Sequence, residues 1–428
     1  MKTSLAIVLA LHLAFAAPVA AQESRPAELP ESAPAVVAPA TALNNEAVAL
    51  HDAGRFDDAI KLFRKAMAAR KLTHPELPDA VIVNNFRQSL VGAASKQLDD
   101  FDFAAAERLL DEALALDPKS ALVRAMFGLA NMRQGYFDRA LSFASEAVGA
   151  DETSAFAHEV RGNVHYRLED LDRALLDLQK AKDLAPKATH LDALIKKIEK
   201  ERAVEGGMRS ERTTHFVAKF GDDVDRAIAS TILDWLEDAY SEIGLKLHFY
   251  PGGVLTAVLY CDVEFNAATD THSWAGGLFD GKIRIPVKNF DRAREQLRAT
   301  LVHEYTHYVV SNYTRHCPVW LNEGLAQWCE GRRAAAAKRA LAQAKAAGTL
   351  KAFKSMGTSF ASIRDPRAAQ LAYDQSLSFV EWLIDKTSLD RVEELLRALK
   401  PKIKTDAAIE SVFGRTLEEL EAEWLESL

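Results

Sequence analysis

The chain has 428 residues, 48% hydrophobic and 27% charged, with a net charge of −8. Length and composition fit a folded protein of two or three domains. No basic tract with interleaved aromatic residues occurs, so nucleic acid is not an expected partner.

The chain opens MKTSLAIVLALHLAFAAPVAAQES. A lysine at position 2, an apolar run from Leu5 to about Ala17 and small residues before Gln22 form a secretory signal pattern, expected at 1–21 with cleavage after Ala21. The run is too short for a membrane span, which needs about 20 apolar residues. No cysteine follows the cut, so a lipid anchor is not expected. The predicted location is therefore periplasmic or secreted, with no stable membrane span after cleavage. Residues 22–41, rich in Pro, Ala, Ser and Glu and without period, predict a disordered linker.

A repeat follows. Phe103, Phe137 and Leu171 are spaced by 34, as are Ala106, Ala140 and Ala174, and Ala113, Ala147 and Ala181. Gly128 and Gly162 share the step, and Pro118 aligns with Pro186. GRFDDAIKLFRKAMAAR is a looser first copy, with Phe56, Ala59, Phe63 and Ala66 in the matching places. Small residues at fixed points let paired helices approach, and Phe and Leu fill the gaps between pairs. This period resembles the tetratricopeptide repeat. The resemblance implies an all-α tetratricopeptide-repeat solenoid over 42–203, with Leu191 to Glu201 as a capping helix. It also implies a concave face offered to a protein or peptide; a purely structural role is the competing expectation.

After Gly206 the pattern changes, and 204–428 reads as a second domain. Thr214–Phe220 alternates like a strand, and Asp223–Ile243 has helical spacing. KLHFYP and VLTAVLYC predict further strands. WAGGLFDGKIRIPV predicts a hairpin across Asp280–Gly281. Asp291 to Ser311 predicts one long amphipathic helix with Asp291 as N-cap, and the remainder is mostly helical. Strands first and helices afterwards imply an α+β domain.

Within that long helix lies LVHEYTHYVV. Residues four apart lie nearly above one another on a helix, so His303 and His307 can aim both imidazoles at one point. Glu304 is rotated by about 100° from His303 and sits beside that point. This is the HExxH arrangement of two zinc ligands plus a general base. The alternative is an accidental pair on a solvated face. The apolar flanks Leu301, Val302, Tyr305, Tyr308, Val309 and Val310 argue against it, because buried histidines and a buried Glu need partners.

A catalytic zinc takes three protein ligands and leaves one position open. A third histidine six residues on is absent: position 313 is Tyr, and position 310 is Val where the metzincin pattern has Gly. The better candidate is Glu323 in CPVWLNEGLAQWCEG, 15 residues intervening after His307, with Pro318 suited to the first turn of a second helix. HEYTH followed by WLNEGLAQWCEG resembles the gluzincins, the thermolysin-like and aminopeptidase N-like clan. The resemblance covers roughly Glu211 to Leu428 and implies a thermolysin/aminopeptidase-like zincin fold. It implies His303, His307 and Glu323 as Zn²⁺ ligands and Glu304 as the base, with Glu330 at a further acidic position. AYDQSLSFVEWL resembles the tyrosine-bearing helix of small peptidase MA-like domains. That makes Tyr373 a candidate oxyanion donor, against the plainer reading of a core aromatic. The His307–Glu323 interval is shorter than in aminopeptidase N relatives, and no GAMEN-type motif precedes the helix. WAGGLFDGKIRIP stands where the clan keeps its substrate-binding edge strand. Gly276 and Gly277 there would permit close backbone approach, or serve only as turn residues.

The resulting expectation is an exported zinc metallopeptidase whose repeats recruit a protein substrate. In it Glu304 takes a proton from water and returns it to the leaving amine. The rival is a non-catalytic repeat scaffold with a degenerate peptidase-like domain; the intact Glu304 favours activity. A ferrous site of two His and one carboxylate ranks last, since it gives Glu304 no task. Asn322 and Gln327 are candidate hydrogen-bond partners of the histidines, and His316 a loop residue more often exposed than ligating. Of Cys261, Cys317 and Cys329, the last two are the candidate disulfide, with free thiols equally expected.

Overall fold

The computed structural model describes residues 38–73, 80–260, 265, 277–287, 290–360, 363, 365–401 and 403–428. The expected leader, most of the expected linker, Cys261 and Gly276 lie outside the described residues. No described helix is long and apolar enough to cross a membrane. The chain divides between Arg202 and Ala203 into two compact units.

The first unit is helical. It comprises α1 (Ala38–Asp52), α2 (Phe56–Thr73), α3 (Ala80–Asp99), α4 (Phe103–Leu116), α5 (Ala121–Arg133), α6 (Phe137–Ala150), α7 (Ala155–Arg167) and α8 (Leu171–Leu184), with α9 (His190–Glu205) running across the division. The helices pack as consecutive pairs. Helix α1 begins inside the segment expected as linker; Ala40 and Thr41 are buried, so they have a packing partner that composition does not reveal. Starts are set by capping: Asp102, Ser120, Ser154 and Asp170 each accept a first-turn N–H, satisfying a donor the helix cannot. The 34-residue period is a packing rule. Ala106, Ala113, Ala140, Ala147, Ala174 and Ala181 are all wholly buried. A Cβ on Gly162 would lie 2.8 Å from Leu178 Cγ, closer than carbon atoms approach.

The second unit holds a five-stranded sheet and the remaining helices. Its strands are β1 (Arg209–Arg212), β2 (Phe216–Phe220), β3 (Leu255–Tyr260), β4 (Leu278–Phe279) and β5 (Ile283–Pro286), in spatial order β1-β2-β3-β5-β4. β3 runs parallel to β2 and to β5, while β1 and β4 are antiparallel to their neighbours. α10 (Arg226–Lys246) makes the connection that a parallel pair requires. Alternate residues, Phe216, Ala218, Leu255, Ala257, Ile283 and Ile285, face the main core. Val258, Tyr260 and Leu278 face the other way, towards Val204, Met208 and Phe265. The helices that follow are α11 (Phe290–Tyr313), α12 (Val319–Cys329), α13 (Lys338–Ala346), α14 (Pro366–Lys386), α15 (Leu389–Ala398), α16 (Thr405–Phe413) and α17 (Leu417–Ser427).

Two expectations are corrected, and the open choice between a disulfide and free thiols is decided. KLHFYP is not a strand: Lys246 ends α10, and His248 turns the chain at φ 45°. Its alternation reflects Leu247 and Phe249 reaching the core from a turn, where Phe249 packs on Tyr313. Asp291 is not the N-cap of α11, because the helix already includes Phe290. Cys317 and Cys329 are free thiols. Pro318 and the ten helical residues Val319–Trp328 separate them, and the helix alone rises roughly 15 Å at 1.5 Å per residue, beyond the 7 Å that a disulfide spans. The predicted hairpin is present, with its turn at Asp280–Gly281, where Gly281 takes φ 101°.

Candidate metal centre

Helix α11 carries His303, Glu304 and His307 on a stretch whose other residues, Leu301, Tyr305, Val309 and Val310, lie in the core. Its position under the sheet buries all three polar side chains, none more than 2% exposed. The next helix, α12, starts after Pro318 and packs against α11, bringing Glu323, also 2% exposed, to the same place. Gly324 permits a further approach. A Cβ there would stand 2.5 Å from the Ser376 carbonyl oxygen, so α12 lies directly on α14, the helix of Tyr373.

The Nε2 atoms of His303 and His307 lie 3.5 Å and 3.8 Å from Glu323 Oε2. The outer face of each ring is already engaged. His303 Nδ1 is 3.1 Å from Glu330 Oε2, and His307 Nδ1 is 3.0 Å from Asn322 Oδ1. With each Nδ1 turned outward to its acceptor, both Nε2 atoms point inward, where a neutral ring offers a lone pair. Glu330 is itself held by Arg332 Nε at 3.1 Å.

Five buried polar atoms here have no hydrogen-bond partner: His303 Nε2, His307 Nε2, Glu323 Oε2 and both oxygens of Glu304. Such groups are costly to bury unless something satisfies them. A cation fits. A tetrahedral ion with bonds near 2.1 Å has donor–donor edges of roughly 3.4 Å, close to these two separations. Two imidazoles and one carboxylate form a donor set suited to zinc. A second trio, His248, Asp390 and Glu393, also brings ligand atoms within 4.8 Å of one another. It differs in kind. His248 and Asp390 are mostly exposed and Glu393 is engaged by Arg397.

Electrostatics follow from crowding the groups together. Burial disfavours charge on His303, but the carboxylates of Glu330 and Glu323 outweigh it and push its pKa up to about 10. Burial raises Glu304 to about 8, helped by the nearby carboxylate of Glu323. Burial and the His303 charge hold His307 well below its ordinary value. Glu323 is raised by burial. Tyr373, 3% exposed and edge-on to Phe360, is pushed well above the usual phenol range by burial and by Glu323 and Glu304. It stays a proton donor at neutral pH.

Strand β4 completes the surroundings of Glu304. A Cβ on Gly277 would lie 3.2 Å from Glu304 Cγ and 2.7 Å from Thr300 Cγ2, so close backbone approach is what this glycine permits. The Phe279 amide favours the charged carboxylate without completing a full hydrogen bond to either oxygen.

Of the sequence candidates, His303, His307 and Glu323 bring ligand atoms within 4.8 Å of one another, Glu304 adjoins them on α11, and Tyr373 lies near enough to feel the charges of Glu323 and Glu304. Asn322 meets His307. Gln327 meets neither histidine; it donates to the carbonyl oxygens of Glu323 and Tyr373. His316 is exposed. The pairing of His303 with Glu330 is not anticipated by the motif. Its signal is present, though: Glu330 follows Glu323 by seven residues, about two helical turns on the same face.

The sequence model of the Peptidase MA superfamily matches residues 265–428, and that of a tetratricopeptide repeat matches residues 40–76. No curated protein matches. Among solved structures, a similar chain is YrrB, described as a TPR protein with an unusual peptide-binding site. It is 23% identical over 37% of this chain and 74% of its own, with a TM-score of 0.27.

Proposed function

We propose that this chain, which carries tetratricopeptide repeats and a Peptidase MA superfamily domain, is an exported zinc-dependent peptidase that hydrolyses peptide bonds. One observation carries the reading: His303 Nε2, His307 Nε2, Glu323 Oε2 and the Glu304 carboxylate are buried side by side without partners. A fold has no use for such a set unless a cation and a polar substrate complete it.

Zinc held by His303, His307 and Glu323 would supply Lewis acidity to a water and a carbonyl oxygen. The chain's own groups do the rest. Glu304, not needed as a ligand, stands free to take a proton and pass it on. Its raised pKa, about 8, suits a group that must both accept and donate near neutrality. Tyr373, protonated and within electrostatic reach of the same carboxylates, would donate to a developing oxyanion. Strand β4, one of the two edge strands of the sheet among the described residues, offers main-chain groups to an extended peptide. The repeats recruit the protein that presents it, and the leader pattern at 1–21 directs the chain out of the cytoplasm.

The test is metal content followed by turnover of a quenched peptide library, in wild type and Glu304→Gln. The reading requires about one zinc per chain, cleavage abolished by chelation, and a Glu304→Gln form that keeps zinc but not activity. Zinc-loaded wild type that binds protein partners and cleaves nothing would establish a scaffold instead.

A further inference from the structure

The sheet face turned away from the metal centre holds a second buried polar cluster, made of charges with no part in the chemistry above. Glu205, the last residue of α9, is at its middle. Its Oε1 lies 2.5 Å from Arg284 Nη1 and accepts from Tyr260 OH at 2.6 Å. Its Oε2 faces Lys282 Nζ at 3.6 Å and Lys219 Nζ at 3.9 Å. Arg284 Nε meets Asp280 Oδ1 at 3.1 Å. All six residues are buried.

Three of the six, Asp280, Lys282 and Arg284, belong to the β4–β5 hairpin. Strand β4 has only two residues and one neighbour. So short a strand is not held in place by its ladder alone. Apolar side chains would cover this face at lower desolvation cost than five charges. What charges add is direction, because the fork of Arg284 is engaged at two sites. The opposite side of the same hairpin is where Gly277 and Phe279 stand against Glu304.

From these juxtapositions we infer that Glu205 is a positioning residue for the peptidase site: through Arg284 and Asp280 it fixes the β4–β5 hairpin, and so sets how β4 stands to Glu304 and to a bound peptide. The inference rests on the peptidase reading for its consequence but not for its geometry. Glu205 touches neither ligands nor substrate, and the ligands lie on α11 and α12. Losing Glu205 therefore leaves zinc bound and displaces the edge strand. A shift of about 1 Å in the parts that align a substrate costs on the order of 100-fold in rate.

The experiment uses full-length, zinc-loaded protein. Glu205→Gln is compared with wild type for zinc content, amide hydrogen exchange over residues 278–286, and kcat and KM on the peptide library. Expected are unchanged zinc content, faster exchange confined to that hairpin, and kcat/KM lower by on the order of 100-fold, with a raised KM. A purely structural role would lower apparent kcat with the folded fraction and leave KM alone. Should Glu205→Gln not fold, the pair Glu205→Leu with Arg284→Met removes both charges while keeping bulk, and it decides. Unchanged hairpin exchange and KM in a folded, zinc-loaded variant overturns the inference, as does zinc loss with faster exchange throughout 203–428. If wild type never cleaves peptides, the peptidase reading falls, and the exchange measurement alone still decides whether Glu205 fixes the hairpin.

Discussion

His303 Nδ1 stands 3.1 Å from Glu330 Oε2, and this pair begins a chain of bonds that ties the proposed metal centre together. Glu330 Oε1 meets Arg332 Nε at 3.1 Å, Arg332 Nη1 donates to Gln327 Oε1 at 3.2 Å, and Gln327 Nε2 donates to the carbonyl oxygens of Glu323 and Tyr373. The ring of His303, the backbone of Glu323 and the backbone of Tyr373 are thus held by one network. Glu330→Ala is expected to weaken zinc binding by about 10- to 100-fold, the usual effect of losing an outer-shell carboxylate. Competition with a chelator of known affinity measures it. Affinity equal to wild type would show that the histidine is oriented by packing alone.

Glu304 is buried and neither of its oxygens has a partner. Its raised pKa of about 8 means that the metal-free fold must protonate this carboxyl to bury it at neutral pH, a cost that Gln does not carry. Two effects follow in opposite directions. Turnover falls by roughly 10²- to 10⁴-fold, the contribution of a positioned proton-transfer group, while the zinc-free variant melts at or above the wild-type temperature. Steady-state kinetics and thermal melts with chelator check the two halves separately. A variant both inactive and less stable would mean that Glu304 is a structural residue.

Metal uptake should depend on pH in a definite direction. Without metal, the carboxylates around His303 raise its pKa to about 10, so at pH 7 the ring is protonated. A ligand must be neutral; zinc uptake at pH 7 therefore expels about one proton, and apparent affinity climbs as pH rises towards 10. The same shift stabilises the metal-free fold. That contribution is complete below the ordinary value of 6.5 and is lost as pH passes about 10. Calorimetry in two buffers of different ionisation enthalpy counts the protons released.

What the sequence made legible was local. A 34-residue period marks buried Ala and Gly positions directly, because each repeat copies its own packing. The His303–His307 pair is visible because helix geometry alone brings residues four apart together. Glu323 needed a resemblance, since its meeting with the histidines depends on how α12 docks on α11. The contact of Glu330 with His303 depends on the same docking. The Glu205 cluster is out of reach for a plainer reason: its partners Tyr260 and Arg284 are 55 and 79 residues away. Strand β1 reads RSER, with no alternation to announce it, and exists only because β2 offers an edge. KLHFYP errs the other way, since a turn that sends alternate residues inward mimics a strand.

Acid should loosen the second unit through Glu205. Burial works against its charge, but Lys282, Arg284 and the Tyr260 hydroxyl outweigh that and hold its pKa down to about 2, against 4.5 ordinarily. A carboxyl depressed on folding contributes stability above its unfolded value and loses it as pH falls towards the folded one. The window is therefore pH 4.5 down to 2, and the loss is on the order of 3 kcal/mol. Denaturant melts of wild type and Glu205→Gln across that window test it, the variant showing a shallower acid decline. Parallel declines would place the acid sensitivity in other carboxyls.

Two glycines make the closest approaches around the metal centre, and alanine at each separates stability from chemistry. At Gly324 the added methyl would meet the Ser376 carbonyl oxygen at 2.5 Å and Val380 Cγ2 at 2.6 Å. The first of these is helix backbone and cannot turn aside, so α12 must move off α14 and carry Glu323 with it. Overpacking of this kind costs about 1–3 kcal/mol, and Gly324→Ala is expected to lower the melting temperature and weaken zinc binding together. At Gly277 the methyl would meet Thr300 Cγ2 at 2.7 Å, Ile285 Cδ1 at 2.9 Å and Glu304 Cγ at 3.2 Å. These are side chains, able to yield in part, and none is a ligand. Gly277→Ala should therefore keep zinc affinity while kcat/KM drops at least about tenfold, because β4 and Glu304 are pushed apart. Zinc titration and kinetics on both variants distinguish the two; zinc loss in Gly277→Ala would contradict the placement of β4 against the base rather than the ligands.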